Sequence, residues 1–245
     1  MQSSCIYVFC VRMIIVLDIF VKKKIGTLDM DISFIVERPL ITALFGRSGS
    51  GKTTLANMLV GLVRPDEGRI KFEDSVYTDT DRDINLPPNK RGIGYVFQEH
   101  RLFPHLKVKN NLTFGQFPGG RKSRTDFSKI VELLGIGHLT ERYPDTLSGG
   151  EAQRVAIGRA LFACTSFLIM DEPLSSLDSR LKDDLIRYIA LIPKNFSFPM
   201  IYITHSKEEV KRLAGMVALI NDGKLVSYDV PDLAYDQSGI RPFAA

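Results

Sequence analysis

Residues 41–59 read ITALFGRSGSGKTTLANML, and this stretch decides the fold. An apolar run with the length of a buried strand comes first, a glycine-rich turn follows, and apolar residues then recur with helical spacing. The turn from Gly46 to Thr53 fits the pattern G-x-x-x-x-G-K-[S/T], and it stands between a strand and a helix as that motif requires. This order predicts an α/β fold whose turn holds a phosphate group.

The residue types in the turn suit phosphate chemistry. Glycines let backbone N–H groups point inward around phosphate oxygens, and the following helix N-terminus adds a favourable dipole. Lys52 is expected to reach the β- and γ-phosphates, and the Thr53 hydroxyl is expected to ligate Mg²⁺. A turn that merely connects strand to helix is the alternative, and the context disfavours it. The predicted ATP-binding residues here are Gly46, Arg47, Ser48, Gly49, Ser50, Gly51, Lys52, Thr53 and Thr54.

Composition narrows the class of protein. The 245 residues are 24% charged and 9% aromatic, as in an ordinary globular protein with one large α/β domain or two small ones. A net charge of +4 is too small to indicate nucleic acid. The cysteines, at positions 5, 10 and 164, have no metal-type spacing, which favours a reducing compartment.

The N-terminal residues predict neither a membrane span nor a signal peptide. The apolar stretch at residues 6–17 is interrupted by Arg12 and is shorter than the ~20 residues that a bilayer requires. No Lys or Arg precedes it, as a signal peptide would need. Residues 1–12 are therefore interpreted as a possible extension before the first strand.

Strand and helix patterns alternate along the rest of the chain, which favours a wound sheet. The helix after the turn is expected to bury Leu55, Met58, Leu59 and Leu62, with residues 64–68 as the turn that ends it. Residues 99–161 form a helical block between two strands. Asn221-Asp222-Gly223 predicts a hairpin turn. Further strands are predicted at residues 69–72, 75–78, 93–97, 167–170, 200–204, 216–220 and 225–228.

Two carboxylates end the apolar run at residues 167–170. Charge at the end of a buried strand is costly unless it is paired or holds a metal. Asp171 is expected to hold Mg²⁺ through water, and Glu172 to orient and deprotonate the attacking water. A solvated loop is the alternative explanation, but the earlier phosphate turn makes this pair a convincing second half of a nucleotide site.

Residues 147–151, LSGGE, precede a helical stretch. Ser148 and Glu151 have the spacing of a capping box, so a capped helix without a ligand is one interpretation. Gly149 and Gly150 favour a function beyond capping, because each glycine makes the helix less stable by about 1 kcal/mol. They expose backbone donors at a positive helix end, which suits a phosphate. The chain already has one phosphate-binding turn at Gly46 to Thr53. A second anion-binding helix end therefore predicts contact with a γ-phosphate that is bound by another copy of the chain.

Together these segments resemble the nucleotide-binding subunit of an ABC transporter. The resemblance implies an α/β fold with a P-loop NTPase (RecA-like) core, an antiparallel β subdomain and an inserted α-helical signature subdomain. The ATP-binding domain would span residues 13–235, with the helical subdomain at about 99–161 and a tail at 236–245. The resemblance also implies ATP and Mg²⁺ as cofactors. It further implies a head-to-tail homodimer in which the partner's ATP site is completed by Ser148, Gly149, Gly150 and Glu151.

The resemblance also assigns three single residues. Gln98 matches a glutamine that senses Mg²⁺ and the membrane partner, although an exposed Gln at a strand end is the alternative. Asp178 matches a residue that contacts the opposite subunit, and it also has the place of a helix N-cap. His205 matches the histidine that contacts the γ-phosphate. For the aromatic that stacks on adenine, Phe20 is a weak candidate and Phe34 an alternative.

The strings RGIGYVFQ (residues 91–98) and GGEAQRVAIGRA (residues 149–160) are similar to molybdate-importer ATPases. The resemblance implies an ATPase subunit that energises oxyanion uptake, most specifically of molybdate, at the cytoplasmic face of the inner membrane. It implies two permease subunits, a periplasmic solute-binding protein as an indirect partner, and no nucleic acid. Sulfate or iron import is an alternative, and a soluble ABC ATPase acting on nucleic acid or ribosomes a further one. The resemblance ends at about Asp232, so it is not expected to include the oxyanion-sensing domain that commonly follows in this family.

Overall fold

The computed structural model describes residues 16–37, 41–115, 126–196 and 199–234. Its strands form one 11-stranded sheet in the order β6-β5-β4-β1-β2-β11-β10-β3-β9-β8-β7. The strands are β1 Leu17–Ile25, β2 Leu28–Val36, β3 Ile41–Phe45, β4 Glu67–Phe72, β5 Ser75–Asp79, β6 Ile84–Asn85, β7 Gly94–Val96, β8 Leu168–Asp171, β9 Met200–Thr204, β10 Met216–Asn221 and β11 Lys224–Asp229.

Helices cover this sheet and extend from one end of it. The α-helices are α1 Lys52–Val60, α2 Pro88–Arg91, α3 Val108–Thr113, α4 Phe127–Leu134, α5 Gly149–Ala163, α6 Ser179–Asn195, α7 Lys207–Leu213 and α8 Pro231–Ala234. Within the described ranges, none of them has the length and apolar character needed to cross a bilayer.

The parallel part of the sheet positions the site. Strands β10, β3, β9, β8 and β7 are parallel neighbours. Every residue of β3, β8 and β9 is buried, as expected for strands covered on both faces. Their carboxyl ends therefore open at one common edge, where open α/β sheets bind ligands.

The other half of the sheet is antiparallel. Strand β1 pairs with β2 and β4, and β4 with β5 in turn. Burial alternates strictly along β2 from Met30 to Val36, so one face packs on the core and the other faces solvent. The predicted antiparallel strands at residues 69–72 and 75–78 are confirmed.

Between β7 and β8 the regular elements that the structure describes are all helical, and irregular segments such as residues 97–107 connect them. Helices α3, α4 and α5 pack into an apolar cluster that also includes Val96, Leu168 and Met170 of the sheet. The α/β class with an antiparallel part and an inserted helical block is thereby confirmed. The predicted extension at residues 1–12 and the tail at 236–245 lie outside the described residues.

The predicted end of α1 is wrong. The helix ends at Val60 because Gly61 adopts a left-handed conformation, with φ of 91°, and its N–H bonds back to the helix carbonyls. Leu62, expected on the buried face, is therefore 57% exposed. The turn expected at residues 64–68 is also shorter than predicted, since Glu67 and Gly68 already belong to β4.

A buried arginine joins α1 to the antiparallel strands. Arg91 is fully buried and its guanidinium has no carboxylate partner among the described residues. Burial lowers its pKa to about 10, so the group stays charged at neutral pH. Its five donor contacts, of 2.7–2.9 Å, are to the carbonyls of Met58, Leu59 and Leu86, the Thr78 hydroxyl and the Asn85 amide oxygen.

Candidate functional site

The turn between β3 and α1 has the backbone of a phosphate cradle. Gly49 and Gly51 have φ values of 78° and 103°, which only glycine adopts without strain. Lys52 folds back over the turn, and its Nζ donates to the carbonyls of Gly46 (2.8 Å) and Arg47 (2.7 Å). Burial lowers the pKa of Lys52, against the opposing effects of Glu172 and Asp171. The amine therefore lies at the mouth of the turn, where anionic oxygens would replace its carbonyl partners.

The first glycine of the cradle has a packing reason of its own. A Cβ on Gly46 would lie 2.1 Å from the carbonyl oxygen of Ile220, which is backbone and cannot move away cheaply. We expect Gly46→Ala to lower the free energy of unfolding by about 1–3 kcal/mol through overpacking. Gly137→Ala is the control, because its Cβ would meet only Val131 at 3.4 Å. Urea denaturation of both variants measures the difference; equal stability of the two would contradict the clash.

Asp171 ends β8 at the edge of the sheet beside the cradle. Its two carboxylate oxygens accept from Thr53 Oγ1 (3.3 Å) and from the Tyr95 hydroxyl (3.1 Å). Burial raises the pKa of Asp171, and these two hydrogen bonds oppose that rise. A hydroxyl and a carboxylate beside a phosphate cradle are the oxygen ligands that Mg²⁺ takes in nucleotide sites. The residues present therefore fit the ion, and Thr53 and Asp171 are the residues that would hold it.

Glu172 and His205 meet at the same edge. Glu172 follows β8, and its φ of 44° is in the left-handed region, a strained conformation for a non-glycine residue. His205 follows β9, and its Nδ1 lies 3.2 Å from Glu172 Oε1. The parallel register that pairs Asp171 with Ile203 explains why residues 33 positions apart come together.

Two neighbouring cavities surround the cradle, and Ser48 and Glu172 line both. The smaller, of about 140 Å³, is lined by Leu28, Ser48, Gly49, Gly51, Lys52, Thr53, Thr54 and Glu172. The larger, of about 610 Å³, is lined by Phe45, Gly46, Arg47, Ser48, Glu172, His205 and Lys207. Most of the predicted nucleotide residues of the cradle thus share one open region with the predicted base and the predicted histidine.

Gln98 lies at the same sheet edge, farther from the cradle. It is exposed, two residues beyond β7, whose Val96 pairs with Met170 directly before Asp171. The register thus places Gln98 just beyond the end of the strand that neighbours the strand of Asp171. Its predicted contact with Mg²⁺ stays a prediction.

Neither aromatic candidate lines the cavities. Phe34 is buried in the core, with its ring 5.2 Å from that of Tyr228. Phe20 is on β1, five residues or about 17 Å along the strand from Ile25, which pairs with Leu28. Leu28 is the hairpin residue that reaches the cradle, and sequence reasoning missed it because it depends on how the hairpin folds over the turn. Adenine stacking on Phe20 stays a prediction.

Ser148 is the N-cap of α5, and the predicted capping box is present. The Glu151 carboxylate accepts from the Ser148 N–H (2.8 Å) and hydroxyl (2.8 Å), and the Glu151 N–H donates to Ser148 Oγ (3.4 Å). These hydrogen bonds lower the pKa of Glu151. Gly150 also has a packing reason, since a Cβ there would lie 3.1 Å from Leu181 of α6. Gly149 is exposed at the helix tip.

Asp178 is the N-cap of α6, because its carboxylate accepts from the Leu181 N–H at 3.0 Å. The alternative interpretation of Asp178 as a helix N-cap is therefore confirmed. The N-cap hydrogen bond uses Oδ1, so the second carboxylate oxygen remains for a further contact. None of the described residues that line the two cavities comes from the α5 or α6 tips. The structure therefore separates the predicted nucleotide residues into two groups. These are a cradle group, Gly46 to Thr54, and a helix-tip group, Ser148 to Gly150 at the start of α5.

Comparison with known proteins gives these two groups a context. The family described as "ABC transporter" matches residues 30–175, more than half of the chain. The chain belongs to the ABC transporter family. Solved structures agree with this membership: cbiO1 of Clostridium perfringens, described as part of an ABC transporter complex, is 25% identical with a TM-score of 0.77, and the match covers 93% of each chain. A nucleotide-free ATP-binding cassette from an ABC transporter aligns equally well, at 25% identity and a TM-score of 0.77, over 93% of this chain and 96% of that one.

Curated relatives in this ABC transporter family are molybdenum import ATP-binding proteins, ModC. That of Paramagnetospirillum magneticum is 47% identical over 228 residues, and that of Photobacterium profundum 50% identical over 227 residues. The alignments cover 92% and 93% of this chain but 62% and 63% of those proteins. The chain thus spans about three fifths of the length of these relatives.

Proposed function

We propose that the chain binds and hydrolyses ATP as the motor subunit of an ABC importer for an oxyanion, molybdate. The observation that carries the ATPase is the convergence of Lys52, Asp171, Glu172 and His205 at one sheet edge. The 47–50% identity to molybdenum import ATP-binding proteins carries the choice of solute, because the geometry of an ATP site does not indicate which solute a permease transports.

The cradle binds the triphosphate in this proposal. Backbone N–H groups of residues 46–53 and the Lys52 amine surround the β- and γ-phosphates. The helix-tip group, Ser148 to Gly150, reaches the γ-phosphate from a second copy of the chain, and Asp178 contacts that copy. Thr53, Asp171 and Gln98 would hold Mg²⁺, which would supply neutralisation of phosphate charge.

Glu172 is the general base for hydrolysis. Its carboxylate takes a proton from the attacking water as the oxygen bonds to the γ-phosphorus, and the bond from that phosphorus to the β–γ bridging oxygen breaks with its electrons on ADP. The imidazole of His205, 3.2 Å from Glu172, is placed to hold both the carboxylate and a γ-phosphate oxygen. Positioning and electrostatics thus supply most of the catalysis.

The partners follow from the same proposal. Two permease subunits carry the solute, and a periplasmic binding protein delivers it to them. This chain lies on the cytoplasmic face of the inner membrane, where dimer closure around ATP moves the helical part and reorients the permease.

Uptake into membrane vesicles tests this function. Vesicles containing the cognate permease and this chain, with ATP inside, are expected to accumulate ⁹⁹Mo-molybdate when the periplasmic binding protein is present. Lys52→Ala is the control, and it should reduce uptake to the level without ATP. Sulfate or iron uptake without molybdate uptake would overturn the solute, and salt-sensitive binding to DNA or ribosomes without membrane association would overturn the importer.

A further inference from the structure

One buried carboxylate beside the site has no role in the mechanism above. Glu209, on α7, is only 7% exposed and forms no salt bridge within the described part of the chain. Its Oε2 accepts from the Thr204 hydroxyl at 2.7 Å and from the Tyr202 hydroxyl at 2.9 Å. A buried acid is costly unless it is well hydrogen-bonded, so these two bonds compensate its burial.

The hydrogen bonds of Glu209 include both sequence neighbours of His205, namely Thr204 and Ser206. The Thr204 hydroxyl donates a hydrogen bond to Glu209, and its oxygen accepts one from the Ser206 N–H at 3.0 Å. The Ser206 hydroxyl in turn accepts from the Glu209 N–H at 3.3 Å and caps α7. The residues directly before and after His205 are therefore fixed by one closed set of hydrogen bonds.

The side chain of His205 is itself loosely held. It is 62% exposed, and its hydrogen bond is to Glu172. Packing restrains an exposed imidazole only weakly. The region that the ring can reach is therefore set by the position of its own backbone. The Thr204 hydroxyl links that backbone to Glu209.

We propose that Glu209 is a positioning residue for His205. Its carboxylate fixes the rotation of the Thr204 hydroxyl, which then holds the Ser206 N–H and the turn that presents the imidazole to Glu172. The inference rests on the proposed function, in which His205 acts on the γ-phosphate. A purely structural carboxylate would affect stability and leave the imidazole where it is.

Two substitutions of Glu209 separate these roles. Glu209→Gln keeps one oxygen that can accept from Thr204 and is expected to retain most of the turnover. Glu209→Leu removes both acceptors, and we expect kcat to fall on the order of 10²-fold with little change in KM for ATP, because small displacements of a catalytic group cost this much. Glu208→Gln is the control, since this neighbour is 78% exposed in an ion pair with Arg212. It should leave kcat unchanged.

A spectroscopic readout is independent of turnover. The chain has four histidines, so the ring signals of His205 can be identified in an NMR spectrum by their loss in His205→Gln. The Glu209→Leu variant is expected to shift these signals, and Glu208→Gln is not. If Glu209→Leu does not fold, Thr204→Val removes the linking hydroxyl and should give the same shift and the same loss of kcat.

The outcomes distinguish the inference from the proposed function. If His205→Gln abolishes turnover but Glu209→Leu and Thr204→Val leave kcat and the His205 signals unchanged, the positioning role is wrong and the proposed function stands. If His205→Gln leaves turnover unchanged, the role of His205 in the proposed function is itself wrong.

Discussion

Glu172→Gln is expected to lower the rate of ATP hydrolysis on the order of 10²–10⁴-fold while the affinity for ATP stays within a few-fold. A glutamine has the same shape but cannot take the proton of the attacking water, so the substitution removes general-base catalysis and little else. The carboxylate lines both cavities around the cradle and contacts His205, as the proposed role of a general base requires. Phosphate release and fluorescent-nucleotide titration measure the two quantities.

The chain offers a matched control for this substitution. Glu73 also has a left-handed backbone, with φ of 49°, but it is exposed in the turn between β4 and β5. Glu73→Gln tests for any effect of the amide in that strained conformation and should leave hydrolysis unchanged. Full hydrolysis by Glu172→Gln, or loss of its ATP binding, would contradict the assignment of the base.

Arg91→Met is expected to lower the free energy of unfolding by about 3–5 kcal/mol. The guanidinium donates to two carbonyls at the end of α1, to a third on Leu86, and to two side chains of the antiparallel strands. Methionine fills part of the space but removes the donors of the Leu59 and Leu86 carbonyls, whereas Met58 O keeps the Gly61 N–H and Asn85 Oδ1 keeps the Thr78 hydroxyl. Each unpaired buried group costs about 1–3 kcal/mol before relaxation. Chemical denaturation followed by circular dichroism measures the change.

Arg91→Lys separates charge from geometry. Lysine keeps the positive charge but cannot reproduce the planar fork of donors, so we expect an intermediate loss of stability. Arg64→Met is the surface control, because Arg64 pairs with Asp83 in an exposed salt bridge, which is worth about 0–1 kcal/mol. An Arg91→Met variant as stable as Arg64→Met would show that Arg91 does not hold α1 to the antiparallel strands.

Local patterns predicted much of the fold. The buried strand, glycine-rich turn and helix at residues 41–59 are contiguous, and the structure confirms their order. The hairpin at Asn221-Asp222-Gly223 is confirmed as well, because Asp222 and Gly223 have φ of 47° and 79°, which two-residue hairpin turns require. In these places the residues that determine the structure are neighbours in sequence.

Features that depend on distant residues escaped prediction. The end of α1 is one, because helical periodicity extends the buried face to Leu62, which is in fact exposed. The close approach of Arg91 requires glycine at position 61, where a Cβ would lie 2.6 Å from Arg91 Nε. The hydrogen bonds of Arg91 to the end of α1 and the approach of Leu28 to the cradle also join segments that are distant in sequence. Periodicity and spacing carry no information on such contacts.

In the proposed function two copies of the chain enclose ATP, and the helix tip of each copy contacts the nucleotide in the cradle of the other. Sedimentation velocity of the Glu172→Gln variant with Mg²⁺ and ATP measures whether this dimer forms. We expect a nucleotide-dependent species of twice the 27.5 kDa of one chain, which the added substitution Ser148→Arg abolishes while ATP binding persists. If the variant saturated with ATP still sediments as a single chain, the shared ATP site is wrong.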